Sequence, residues 1–298
     1  MSNKSHCDVS VIIPAYRAAD YIDRAVQSVF RQTVYPKELI IADDGSDDET
    51  SEILETYSET DSPIDLKMLH QSNQGAGAAR NLALQSATGK YAAFLDSDDE
   101  WLPEKLARSI FHMERDKYTL VAHNIFMVNG QQQKENNIAV RFQNSSNSLF
   151  HGLYRRGFIA TSTVVASLSA IHQAGGFDTS LRVGQDFDLW LKMLGSQGSQ
   201  FFVFDECLAK YHVREESITR HTDSRLSCTI KIAQRHAPLL RQHGGSPTIS
   251  LWFRLVAVHY EAIRAHMSSR KYNAAFRVLL NLPIVFIMET MRLVKTPH

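Results

Sequence analysis

The chain is poor in cysteine, holds no long hydrophobic run and carries no net charge. Its three cysteines, Cys7, Cys207 and Cys228, lie far apart and form no metal-type pair. An odd count in 298 residues points to reduced thiols in a reducing compartment. No run approaches the roughly 18 apolar residues of a membrane span. The nearest, Val278 to Met288, is interrupted by Asn281 and Pro283. Met1 to Asp8 is polar and lacks an apolar signal core, so a cytoplasmic protein is expected. The zero net charge names no partner, and no nucleic-acid partner is expected. There are no internal repeats, and low complexity is confined to a Gln/Asn-rich stretch at 131–147. Charge is uneven along the chain: residues 226–298 carry 10 of the 32 basic residues and only 2 of the 32 acidic ones. An acidic body therefore precedes a basic tail.

What the chain does have is a series of short apolar runs that end in chemistry. Tyr91 to Leu95 has the length and composition of a strand buried on both faces. Asp96, Asp98 and Asp99 follow at its carboxyl end. Repulsion within such a cluster favours a cation among the acids. Hard oxygen ligands suit Mg2+ or Mn2+, and Mg2+ is usually held by one or two carboxylates plus substrate phosphates. Taken alone, the stretch reads equally as a solvated loop before the helix that Pro103 opens.

Upstream, Val9 to Tyr16 reads as a buried strand ended by its proline, with Asp20 capping a helix to about Arg31. Glu38 to Ala42 is a second strand, closed by Asp43-Asp44-Gly45-Ser46, and a helix runs to about Tyr57. Leu66 to His70 is a third, followed by the glycine-rich Asn73 to Asn81 and a helix to about Ala87. This alternation implies a parallel sheet with helices on both faces. Ligands of such sheets sit outside the carboxyl ends of the strands. Gly75 to Gly77 lacks the Lys-Ser/Thr ending of a phosphate loop and does not follow the first strand. Helix packing explains its small residues equally well. Arg80 is placed either to reach a phosphate or to hold an acidic loop.

The later half is less regular. Strands are expected at Tyr118–Val128 and Thr161–Ala166, with a turn at Asn129-Gly130, a loop over 131–147, and a short helix from Ser167 to Ala174. Gly175-Gly176-Phe177-Asp178 is a turn. Gln185 to Leu194 opens an amphipathic helix with Asp186 and Asp188 in its first turn, where the dipole favours acids; helix capping is the competing role for Asp186. Phe201–Phe204 and Leu208–Val213 pair as late strands. Tyr211, His212, Arg214 and Ser217 form a polar cluster suited to a phosphate. Basic helices are expected near 226–240, 249–267 and 272–294.

Together these pieces resemble the family 2 glycosyltransferases, inverting nucleotide-sugar enzymes of GT-A fold. The matching segments are Val9 to Tyr16, Asp43 to Ser46, Asn73 to Gly75 with Ala79 to Asn81, Leu95 to Asp99, Gly175 to Asp178 and Gln185 to Trp190. They stand in the family's order across about residues 8–215. The resemblance implies an α/β class, a Rossmann-like, mostly parallel sheet flanked by helices. A catalytic domain would span 1–220, its nucleotide-sugar half about 1–117 and its acceptor half about 118–220. A basic helical extension would occupy 221–298.

The resemblance also assigns roles. Pro14, Ala15 and Tyr16 would lie beside the nucleoside, and Asp44 would bond the pyrimidine ring. Arg80 would hold that pocket or the diphosphate. Asp96-Ser97-Asp98 matches the DXD element: Asp96 and Ser97 would face the nucleotide sugar, and Asp98 would bind the divalent Mn2+ or Mg2+. Asp186 would be the general base, with Gln185 where Glu is usual. The family's late Tyr-Arg-x-His appears as Tyr211-His212-Val213-Arg214, its basic residues exchanged. Transfer to a saccharide or lipid-linked acceptor, with a UDP sugar as donor, is the implied activity. A nucleotidyltransferase or sugar-nucleotide pyrophosphorylase would carry a glycine- and basic-rich signature after the first strand, which is absent. A binding protein without catalysis is the third reading, and Asp44, Asp96, Asp98 and Asp186 argue against it. Two readings stand for the tail: packing on the body or in a homo-oligomer, or peripheral attachment to the cytoplasmic membrane face.

Overall fold

Seven consecutive residues of the first strand, Val9 to Ala15, are buried. The computed structural model describes residues 4–58, 62–143, 149–157, 159–196, 198–214 and 222–295. In chain order the elements are β1 (His6–Ala15), α1 (Ile22–Phe30), β2 (Tyr35–Asp43), α2 (Thr50–Ser58), β3 (Asp65–His70), α3 (Ala76–Ser86), β4 (Tyr91–Phe94), β5 (Glu100–Trp101), α4 (Lys105–Asp116), β6 (Leu120–Asn129) and β7 (Gln132–Asn136). They continue with α5 (Val140–Gln143), α6 (Leu149–Arg156), β8 (Val165–Ser167), α7 (Leu168–Gln173), α8 (Gln185–Leu194), β9 (Phe201–His212), α9 (Thr222–His236), α10 (Pro247–Ser268) and α11 (Tyr272–Lys295).

The chain groups into two compact units. The first takes Met1–Val140, Ile159–Thr179 and Ser196–Arg214 and holds the whole sheet. The second takes Arg141–Phe158, Ser180–Gly195 and Glu215–His298, and its elements are helices.

The strand order is β3-β2-β1-β4-β8-β6-β9-β5, with β7 paired to β6. The half from β3 to β4 is parallel throughout, as the alternation predicts. The other half is mixed: β8 runs antiparallel to β4 and β6, β5 antiparallel to β9, and β6 parallel to β9. From β1 the chain winds to β2 on one side and returns to β4 on the other. That reversal is the topological switch point where open α/β sheets bind ligands.

Several local expectations change. β1 runs through Pro14, which pairs with Ala42. The ring is tolerated because β4 pairing ends at Ile12↔Phe94, so the missing N–H faces no partner strand. Asp20 does not cap α1. Tyr21 is the N-cap residue and makes no side-chain cap bond, while the Ala18 carbonyl accepts from the N–H groups of Tyr21 and Ile22, both at 2.8 Å. Within the stretch expected as a loop over 131–147, Gln132 to Asn136 closes a hairpin on β6, and residues 144–147 lie outside the described residues. Thr161 to Thr163 forms a 3-10 turn, leaving only Val165 to Ser167 as strand. The two late strands are one: β9 follows β6 from Phe201 to His212, with register shifts where part of the gap falls. Ser217 lies outside the described residues.

One core residue breaks the usual rule. Lys105 is fully buried at the start of α4. Its Nζ donates to the Val164 carbonyl at 3.4 Å and stands 3.8 Å from the Trp101 ring centre. No carboxylate pairs with it among the described residues. Burial pushes its pKa well below the ordinary value. The unfolded chain therefore binds a proton that the folded chain releases, and stability should rise with pH toward the ordinary lysine value of about 10.4. Lys105→Met keeps the volume and removes the charge. It should raise stability at neutral pH by about 1–4 kcal/mol and flatten the alkaline rise. Urea titrations of both proteins at neutral and alkaline pH check this; a destabilised variant would show that the amine stabilises the core.

In the second unit, the Tyr154 hydroxyl donates to the Ala233 carbonyl at 2.8 Å, and His151 meets Ser250 at 2.8 Å. α11 runs through Pro283, in keeping with the helix expected over 272–294. Trp252 of α10 donates its indole N–H to Thr290 of α11 at 2.9 Å, and Ala275, Glu289 and Leu293 are buried. Among the described residues α11 is one helix long and apolar enough to cross a membrane by length and composition.

Candidate active site

The carboxyl ends of β2, β1 and β4 are adjacent. Pro14 and Ala15 are buried there, and Tyr16 turns out to solvent at 43% exposure. Arg17 follows in the left-handed region at φ 46°, a conformation a side chain adopts only when its surroundings hold it. Here they do: its N–H donates to Ser46 Oγ at 3.0 Å and its guanidinium forks onto Asp47 at 2.6 Å on both arms. The next backbone N–H, of Ala18, donates to Thr50 Oγ1 at 2.7 Å.

Asp43 ends β2 and Asp44 follows it, on opposite duties. Asp43 accepts from Ser46, Ser51 and His70. Burial pushes its pKa up, and those hydrogen bonds outweigh it and hold the group below the usual range. Asp44 is 2% exposed. It accepts from Gln71 Nε2 at 2.7 Å, from the Gln74 N–H at 2.9 Å and from the Gly75 N–H at 2.7 Å. The glycine-rich segment therefore cups a carboxylate of the protein itself, which answers the phosphate-loop question for those two N–H groups. Gly45, at φ 75°, lets this happen, since a Cβ there would lie 2.9 Å from the Asn73 nitrogen. A carboxylate offers about four acceptor positions. Three on Asp44 are taken, two on Oδ1 and one on Oδ2.

The end of β4 is gripped by three arginines. Arg80 donates to Asp96 Oδ1 at 2.5 Å, Arg24 to the Asp98 carbonyl at 2.6 Å, and Arg214 to Asp98 Oδ2 at 3.2 Å. Arg80 thus holds the acidic loop, and it also lies over the Phe177 ring at 5.4 Å. Asn81 fastens the Gly-Gly-Phe turn beside it: its Oδ1 accepts from the Phe177 N–H at 2.9 Å and its Nδ2 donates to the Phe177 carbonyl at 2.8 Å. The acids divide. Asp96 and Asp98 keep about a third of their side chains exposed, at 29% and 30%. Asp99 turns inward, 1% exposed, and accepts from the Ser162 hydroxyl. Burial and then repulsion from Asp96 push the carboxyl of Asp98 up, with Arg214 pulling it back. Burial, with repulsion from both neighbours, pushes Asp99 well above the usual range. Ser97 is half-buried between them.

A cation fits this donor set in one specific sense. Among the described residues no three His, Cys, Asp or Glu side chains converge as a self-sufficient metal cage. A partly exposed carboxylate beside a second one can hold Mg2+ or Mn2+ when substrate phosphates complete its shell, and Asp98, 30% exposed beside Asp96, is a group of that kind.

Eight of the nine expected site residues, Pro14, Ala15, Tyr16, Asp44, Arg80, Asp96, Ser97 and Asp98, belong to the first unit. Asp186 belongs to the second. It is the second residue of α8 and half-buried. Gly184 is the N-cap residue, at φ 79°, so Asp186 does not occupy the cap position. Gln185 donates its amide to the Leu181 carbonyl at 2.7 Å, a bond that an ionised glutamate there could not donate. Asp188, two residues on in the same first turn, is fully buried and bonded by Lys192, Arg235 and His236. Arg24, Ser162 and Gln71 were missed in the sequence, because nothing near them in the chain signals their distant partners. Arg214 reaches Asp98 as a residue of the late polar cluster. The His212 N–H donates to Asp99 at 3.4 Å.

The family profile described as Glycosyl transferase family 2 matches residues 10–173. A Bacillus subtilis protein named for teichuronic acid biosynthesis, the glycosyltransferase TuaG, is 35% identical over 215 residues, 71% of this chain and 81% of that one. An Escherichia coli UDP-Glc:alpha-D-GlcNAc-diphosphoundecaprenol beta-1,3-glucosyltransferase, WfgD, is 31% identical over 211 residues, 71% of this chain and 79% of that one. Among solved structures, S. aureus TarS 1-349 in complex with UDP-GlcNAc superposes with a TM-score of 0.65 at 21% identity, covering 87% of this chain and 72% of that one. The mannosyltransferase PcManGT from Pyrobaculum calidifontis, in complex with GDP-Man and Mn2+, gives 0.61 at 16% identity, covering 98% and 90%. The two structures support the GT-A fold.

Proposed function

This chain belongs to glycosyltransferase family 2, and we propose that it moves a sugar, with inversion, from a UDP sugar to an acceptor hydroxyl. The observation that carries the donor half is the acid-tipped switch point: Asp44 beside β1, and Asp96 with Asp98 across it. Asp44 has one acceptor position left, on Oδ2. One position matches the single N3–H of uracil, whereas guanine offers two adjacent donors. That favours UDP over GDP. Asp96 and Ser97 face the sugar nucleotide, beside Pro14, Ala15 and Tyr16. Asp98 would hold Mn2+ or Mg2+, which when bound acts as a Lewis acid on the leaving diphosphate.

Asp186 takes the proton of the acceptor hydroxyl. The acceptor oxygen then bonds to the anomeric carbon from the side opposite the diphosphate. The bond from that carbon to the phosphate oxygen breaks, and UDP leaves with its electron pair. The names of TuaG and WfgD support surface polysaccharide synthesis on a lipid-linked acceptor. The protein would work on the cytoplasmic face of the membrane, its C-terminal helices in peripheral contact.

Incubation with a panel of UDP, GDP and dTDP sugars tests the reading. UDP should be released from a UDP sugar only with Mn2+ or Mg2+, and Asp98→Ala should lose most of its affinity for the donor in the presence of the cation. Full activity in chelator removes the cation from the proposal. Release of pyrophosphate makes the protein a nucleotidyltransferase instead, and binding without turnover makes it a binding protein.

A further inference from the structure

Fifteen of the twenty large hydrophobic side chains exposed among the described residues lie on α10 and α11. On α11 they fall at Phe276, Leu280, Ile284, Ile287, Met291 and Val294, each 55–76% exposed. That spacing of three and four residues draws one stripe, about 27 Å long at the helical rise. On α10 a second stripe runs through Ile249, Trp252, Phe253, Val256 and Tyr260. The Trp252 and Phe286 rings, 5.9 Å apart, join the two helices. So much contiguous apolar surface marks an interaction site.

Charge selects the occupant. Residues 247–295 hold seven basic and two acidic side chains. Both acids are already paired, Glu261 with Arg225 at 2.7 Å and Glu289 with Arg292 at 2.6 Å. Arg264, Arg270, Lys271, Arg277 and Lys295 have no acidic partner among the described residues. A second copy docked by two-fold symmetry would bring this cationic surface against itself. An anionic lipid layer offers hydrocarbon to the stripes and phosphate to the cations. α11 alone is long enough to span, but its buried face, with Glu289 and Leu293, is packed within this unit, and spanning would strip it from α10.

We propose that α10 and α11 form one membrane-binding face that lies in the headgroup layer of an anionic bilayer without crossing it. The proposal deepens the reading of a lipid-linked acceptor and rests on it for its purpose. Flotation of the full-length protein with phosphatidylcholine vesicles, with and without phosphatidylglycerol, tests it. Binding should require phosphatidylglycerol, weaken in high salt and be released by alkaline carbonate. Ile284→Glu with Ile287→Glu should lower the floated fraction at least tenfold. Arg270→Glu with Lys271→Glu should do the same, with thermal melting by circular dichroism confirming that both variants are folded. Removing the tail is a poorer test, because it would strip Asp188 of Arg235 and His236. Release of UDP from a UDP sugar in vesicle-free solution reads the catalytic proposal separately and should be unchanged in both variants. Three results overturn the membrane face: no flotation with either vesicle, resistance to carbonate, or a solution dimer that the Ile284→Glu, Ile287→Glu variant dissociates.

Discussion

Asp186→Asn should lower kcat by about 10²–10⁴-fold with donor binding largely unchanged. Asparagine keeps the shape of the side chain and removes its ability to take a proton. The competing role is structural. At the second position of α8 a carboxylate gains from the helix dipole, an effect of about 0.3–1 kcal/mol. The cap position itself belongs to Gly184. The two roles separate in the assay. A base predicts a collapse of kcat with UDP affinity by calorimetry intact; a helix-stabilising acid predicts near-normal turnover and a slightly lower melting temperature. Near-normal turnover would send the search for the base elsewhere.

Two residues on, the same type of change should act on stability instead. Asp188→Asn should destabilise the second unit by about 3–5 kcal/mol, the usual penalty for removing one member of a buried charge cluster. Asp188 is fully buried. It accepts from Arg235 at 2.8 and 2.9 Å, pairs with His236 at 2.8 Å and with Lys192 at 2.9 Å. Burial alone would raise its pKa, but the bonds from His236 and Lys192 outweigh it and lower it to about 2. The linked stability is fully present above the ordinary carboxylate value of about 3.9 and is lost as pH falls through about 2. Urea titration at neutral pH and an acid titration of the wild type check both statements. An unchanged urea midpoint would mean that the cluster contributes nothing net.

These neighbours show how far the sequence carries. Their acids stand two apart in one first turn, and the pattern marks both as notable. Only the contacts separate them, because Arg235 and His236 return from more than forty positions away. The same holds at the end of β4. Three acids in four residues were legible as a cluster, but Asp99 is turned inward by Ser162, which stands 63 residues away in the chain. The helix over 272–294 was legible too, but the run of Val278 to Met288 looked too short and broken to span a bilayer, whereas α11 as a whole is long and apolar enough by length and composition.

Burial patterns are local, so the sequence by itself determined the four parallel strands, the helices between them and the acids at their carboxyl ends. It also carried the family resemblance in the order of those motifs. Tertiary structure alone decided the mixed second half of the sheet and the partners of each acid. It alone placed the segment bearing Asp186 in one unit with the C-terminal helices. The physical reason is that a strand's antiparallel partner, or an acid's arginine, is chosen by where the chain returns in space. Arg214 meets Asp98 across more than a hundred residues, and no local periodicity records that meeting.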